Sequence, residues 1–253
     1  MILNRAFVAA MAVAAAWFFA ALPSACAQAQ SAPPAFVKPP ALAPEVAFGR
    51  FIALIRGHLL TGDELAAQRQ WDAAAVHLGF PREEVYGVIR QDLRSYNVPA
   101  FDGALRELVR TAKARDAKQF ARARQNVEKA LAAADASLKA RQFDWTKFTA
   151  TVALEVLKTV PDEYEDAISK GRIVRPISYQ TARGFILQAD RMFESIASDL
   201  QAKNAAALTE LRAGLSQLKQ TFAALTAPKS AVMDEVALQA AMARIEQAAR
   251  ALL

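Results

Sequence analysis

Chemistry that depends on cysteine is nearly excluded, because the 253-residue chain has one, Cys26, at the end of an apolar N-terminal run. Loss of that run would leave neither a thiol nucleophile nor a disulfide framework. The nine glycines are scattered, and neither a Gly-x-Ser-x-Gly elbow nor a phosphate-cradling loop is present. The two histidines, His58 and His77, stand too far apart for a His-x-His or His-x-x-x-His metal pair. Sustained alternation of apolar and polar residues is also missing, which argues against sheets. Thirty-one basic and 25 acidic residues give a net charge of +6, but the signs are interleaved rather than gathered on an arm, unlike a nucleic-acid binder. These absences point away from an enzyme and away from nucleic acid.

What is present begins with an export signal. Arg5 precedes an unbroken apolar run from Ala6 to Leu22, followed by Pro23, small residues and an Ala-x-Ala site around Cys26. The expectation is a periplasmic protein without its signal peptide, residues 1–27, and with no membrane span in the mature chain; cleavage falls after Ala27 or after Ala29. Two alternatives are retention of the run as an anchor and lipidation at Cys26, against which Pro23 weighs. Residues 28–44 hold Pro33, Pro34, Pro39, Pro40 and Pro44 and read as a disordered Pro/Ala-rich linker, since that composition cannot bury a core.

Residues 45–253 are expected to form one all-α domain, a helical bundle of about eight helices. Phe48, Phe51, Ile52 and Ile55 make one apolar stripe of a first helix. Pro81, followed by Glu83 and Glu84, suits the first turn of another, with Val85, Ile89 and Leu93 on its inward side. Asp116 with Gln119 has the form of a capping box, and Asp144 is placed to cap the next helix. Pro161 interrupts or kinks the helix that follows, and no run demands a strand.

The most distinctive stretch is 162–190. Asp162, Glu163, Glu165 and Asp166 cluster at one helix end, and Glu163 falls in line with the apolar stripe of Val156, Val160 and Ala167. A carboxylate drawn into a core needs a paired or bound cation: Arg172, Arg175, Arg183 or a metal ion. Tyr179, Arg183 and Asp190 recur at spacings of four and seven along the next helix, which makes them either an anion grip or a polar seam. Tyr164 adjoins the cluster. His58 and His77 with Glu84 and Glu163 form the candidate metal set, two imidazoles with carboxylates suiting a transition-metal ion. Glu163, Tyr164, Tyr179, Arg183 and Asp190 form the candidate ligand-binding set.

Glu163-Tyr164, Ala167, Gly171, Arg172-Ile173-Val174 and Tyr179-Gln180 together resemble a pattern in the periplasmic helical domains attached to high-affinity iron permeases. The exported helical context is loosely similar to imelysin-like proteins and to the periplasmic component of ferrous-iron uptake systems. The resemblance implies an envelope protein of helical-bundle fold concerned with metal traffic. The pattern departs in two places: the third residue after His58 is Thr61 and after His77 is Phe80, so the imelysin His-x-x-Glu motif is missing, and the permease's Arg-Glu-x-x-Glu stretch is absent. The expected function is a periplasmic binding or accessory protein handling a metal ion. The alternative is a structural adaptor that docks on another envelope protein and has no ligand site.

Overall fold

A computed structural model describes residues 41–253, and the expected signal peptide, Cys26 and most of the linker lie outside them. The described residues are helical apart from one small hairpin. Helix α1 (Pro44–Ala67) has Pro44 at its start, where a missing N–H costs nothing, so the linker boundary expected at 44 falls inside the helix. Phe48, Ile52, Ile55 and Leu59 line its buried face, as the stripe required.

Helix α2 (Trp71–Phe80) does not stop before Pro81. It runs directly into a π-helical turn (Pro81–Tyr86) and a short α3 (Gly87–Ile89). Pro81 therefore does not open a new helix. Proline removes a backbone donor and crowds the preceding carbonyl, and a locally widened turn is one way a helix absorbs both. The inward residues Val85, Ile89 and Leu93 are nonetheless buried as expected.

Helices α4 (Asp102–Lys113) and α5 (Ala117–Arg141) follow, and the Asp116 side chain accepts hydrogen bonds from the backbone N–H groups of Lys118 and Gln119. Asp144 caps α6 (Trp145–Leu157) in the same way through Lys147. A turn at Lys158 and Thr159 then separates α6 from α7 (Val160–Ala167), so Pro161 lies in the first turn of a new helix.

The hairpin was not foreseen. Strands β1 (Ile168–Ser169) and β2 (Arg172–Ile173) pair antiparallel, Ile168 opposite Ile173 and Ser169 opposite Arg172. Lys170 and Gly171 between them both have positive φ, 51° and 70°, the backbone of a type I′ turn. The alternation that would announce a strand needs more than two residues a side, so periodicity could not reveal it.

Helix α8 (Pro176–Ser195) is the axle of the molecule. One flank packs on α1 and the other on α6 and α7. Gly57 and Gly184 mark the α1–α8 crossing: a Cβ added at Gly184 would lie 2.5 Å from the Gly57 carbonyl oxygen. Helices α9 (Ala197–Lys203), α10 (Ala205–Thr221) and α11 (Glu235–Arg250) complete the bundle, with Asn204 and Asp234 capping the last two. No helix among the described residues is long and apolar enough to cross a membrane.

Candidate functional site

The predicted residues gather into three small groups rather than one centre. His58 and His77 do come together, with ring centroids 6.4 Å apart. Both are almost fully buried, and Phe80 and Phe185 wall the His58 ring at 5.1 and 5.0 Å. Burial first, and then the neighbouring His77, hold the His58 pKa down to about 3; burial also lowers that of His77, opposed by its bond to Gln180. Both rings are therefore neutral at physiological pH.

Gln180, which the site prediction left out, organises this corner. Its Nε2 donates to the Leu225 carbonyl at 3.0 Å, its Oε1 lies 2.9 Å from His77 Nε2, and its own carbonyl accepts from Thr61 Oγ1 at 3.2 Å. Because the amide nitrogen is committed to Leu225, the oxygen faces His77, and His77 carries its proton on Nε2. The Nδ1 atoms of His58 and His77 have no hydrogen-bond partner among the described residues. The signal for Gln180 was its place beside Tyr179 in the resembling string; nothing local announced that it reaches across to α2.

Tyr164 and Tyr179 form the second group, both against Phe222 at centroid distances of 5.0 and 5.1 Å. The Tyr164 hydroxyl donates to the Met233 carbonyl at 2.8 Å and so ties α7 to the segment leading into α11. These tyrosines are core residues with satisfied or sheltered hydroxyls, since each is about 1% exposed.

Arg183 and Asp190 are each occupied elsewhere. Arg183 grips Glu64 of α1 with both terminal nitrogens, and Lys219 of α10 sits 2.8 Å from both carboxylate oxygens of Asp190. The row on α8 is thus a polar seam between helices, the second of the two readings its spacing allowed.

Glu163 and Glu84 are the third group. Glu163 is half-buried on α7, and the Glu163 carboxyl is pushed up to about 7, first by burial and then by the charges of Glu84, Asp166 and Asp162. Glu84, on the π-helical turn, is raised by burial and by Glu83. Among the described residues none of Arg172, Arg175 and Arg183 pairs with Glu163: Arg175 pairs with Asp166 and Arg183 with Glu64.

Helices α6–α7, α8–α9, α10 and α11 pack together as a bundle. Residues 139–253 match the family model of the iron permease-associated 4-helix bundle domain. The match covers a little under half of the chain, and the stretch from Glu163 to Gln180 lies inside it. No curated protein and no solved structure matches the chain.

The metal set drawn from the sequence does not fit this geometry. No group of three or more His, Cys, Asp or Glu side chains among the described residues is placed to hold a metal ion. The histidines lie in an aromatic chamber with one nitrogen of His77 committed to Gln180, and the carboxylates Glu84 and Glu163 form their own pair.

Glu163→Gln should stabilise the fold at neutral and alkaline pH but not in acid. The folded-state carboxyl is raised above its ordinary 4.5, so the folded chain retains a proton that the unfolded chain has lost between 4.5 and about 7. Stability is full below that window and falls as pH rises through it. Discounted for partial exposure, Glu163→Gln should gain about 1–2 kcal/mol at pH 8 and almost nothing at pH 4. Urea unfolding at the two pH values measures this, and equal effects at both would contradict it.

Proposed function

We propose that this chain is an exported, non-catalytic accessory protein of the cell envelope that works beside an iron-permease-type transporter by docking on it rather than by holding the metal. The observation that carries this reading is the use of the polar α8 residues. Gln180, Arg183 and Asp190 each hold a neighbouring helix of the same chain, which rigidifies the bundle and keeps these three from converging on a ligand. The match of residues 139–253 to a permease-associated domain supports the choice of partner. The surface beside the hairpin supports the docking mode: Val174, Ile177, Val232 and Val236 are 54, 44, 62 and 80% exposed. Where exposed apolar side chains join into one patch they mark an interaction face.

A photo-crosslinking residue at Val174 or Val232 should capture a polytopic permease in the native host, whereas one at Val88, exposed on α3, should not. Failure of both face positions to give that adduct would remove the docking reading.

The carboxylate pair favours a narrower second reading. A cation between Glu84 and Glu163 would relieve their mutual repulsion and the desolvation of Glu163. Calorimetric titration with ferrous, ferric, copper and zinc ions separates the two. Docking alone predicts no stoichiometric binding, and a site abolished by Glu163→Gln would establish the cation reading.

A further inference from the structure

Helices α1, α5, α6 and α8 enclose a cleft of about 400 Å³ that none of the candidate site residues lines. That volume lies in the range of small-molecule sites, which are apolar pockets with a few placed polar groups. Its apolar surface includes Ile52 of α1 and Phe148 and Val152 of α6.

Its charged wall is a closed network. Arg56 bonds both oxygens of Asp135 at 2.9 and 2.8 Å and reaches Glu128 at 3.4 Å, while Arg124 bridges Glu128 and Asp63 at 3.0 and 2.9 Å. The groups contributed by α8 are different. Gln188 is 7% exposed, and neither it nor Arg191 makes a side-chain hydrogen bond or ion pair among the described residues. With Asp63 bonded to Arg124 the three arginines face three carboxylates, Asp63, Glu128 and Asp135, and Arg191 is the one guanidinium of the lining with no bonded partner among the described residues.

Thr149 supplies the independent sign of a ligand. It is 3% exposed, lines the cleft, and its hydroxyl has no partner. Other helical threonines solve this locally: Thr111, Thr151, Thr209 and Thr221 each donate to a carbonyl three or four residues back. A buried hydroxyl left unpaired is costly, so one that forgoes the available helix carbonyl and lines a polar cleft is suited to an external partner.

We propose that this cleft binds a small organic monoanion with an apolar, ring-sized body. The body lies against Ile52, Phe148 and Val152, the anionic group meets Arg191, and the Thr149 hydroxyl and Gln188 amide hydrogen-bond the ligand. Charge-assisted contact with a guanidinium gives the anion its preference over a neutral analogue of the same shape.

Two probes with the same ring system test this. 1-Anilinonaphthalene-8-sulfonate is an aromatic monoanion, and N-phenyl-1-naphthylamine lacks its sulfonate. The sulfonate should bind saturably, one per chain, by fluorescence titration. Arg191→Gln should weaken it about tenfold while leaving the neutral probe within about twofold. Thr149→Val should weaken the sulfonate several-fold with an unchanged or raised melting temperature, because the hydroxyl has no internal bond to lose. Absence of saturable binding by the folded chain, or an affinity indifferent to both substitutions, would overturn the proposal.

Discussion

Replacing His58 with leucine is expected to remove most of one acid-sensitive step in the protein's stability while leaving the fold intact at neutral pH. The histidine is enclosed by Phe80, Phe185 and His77, and its folded-state pKa of about 3 lies far below the ordinary 6.5. The unfolded chain therefore takes up a proton on this ring as pH falls below 6.5, and the folded chain does not. Stability contributed by the neutral ring is present above 6.5 and is lost progressively toward pH 3. Between pH 7 and pH 4 the loss is on the order of 3 kcal/mol. His77 acts in the same direction, and Glu163 in the opposite one between about 7 and 4.5, so the wild-type profile is a compensated curve. Denaturant unfolding across this range should show the His58→Leu variant losing about 3 kcal/mol less than wild type on acidification. An unchanged acid limb would mean that His58 is solvated, contrary to its burial.

Gly184→Ala should destabilise the protein, although alanine is the better helix former. Moving from glycine to alanine inside a helix ordinarily gains up to about 1 kcal/mol. At this position the new methyl carbon would meet the Gly57 carbonyl oxygen and the Thr61 Oγ1, both at 2.5 Å. One obstacle is backbone and cannot swing aside, so α1 and α8 must separate; overpacking of this kind costs about 1–3 kcal/mol and sometimes more. The expected net result is a loss of about 2 kcal/mol, read from the urea midpoint. Gly87 and Gly103 provide the control, since a Cβ there meets nothing within 4 Å, and alanine at either should be neutral or mildly stabilising. Equal behaviour of all three positions would mean that the crossing is looser than described.

Local rules carried much of this architecture in the sequence. Asp116 and Asp144 cap the helices they precede because capping needs only neighbours within three residues. The stripe on α1 and the burial of Val85, Ile89 and Leu93 were visible for the same reason. Pro81 misled because its two compatible contexts, a helix start and a widened internal turn, share the same flanking acids. The site was harder to see. Glu163 could be recognised as a carboxylate held against a core and was grouped with Glu84, but spacing did not show that the Glu84 charge compounds the desolvation. Arg183 found its partner in Glu64, 119 positions away, and His77 found Gln180 at a separation of 103. Pairings over such distances depend on which helices touch, and sequence spacing along one helix is silent about that. The cleft beneath Thr149 was invisible for the same reason, since four separate helices contribute its walls.

The glycine crossing also bears on where this molecule can be divided. Residues 139–253 bear a recognisable likeness of their own, yet α8 offers one whole flank to α1, including the Gly57–Gly184 approach, the Arg183–Glu64 pair and the Thr61–Gln180 bond. A scissor cut at 139 would strip that flank bare. The portion that matches the permease-associated bundle is therefore not a detachable module here: its inner wall is supplied by the preceding helices, and inheritance of one part without the other would leave an unfinished body.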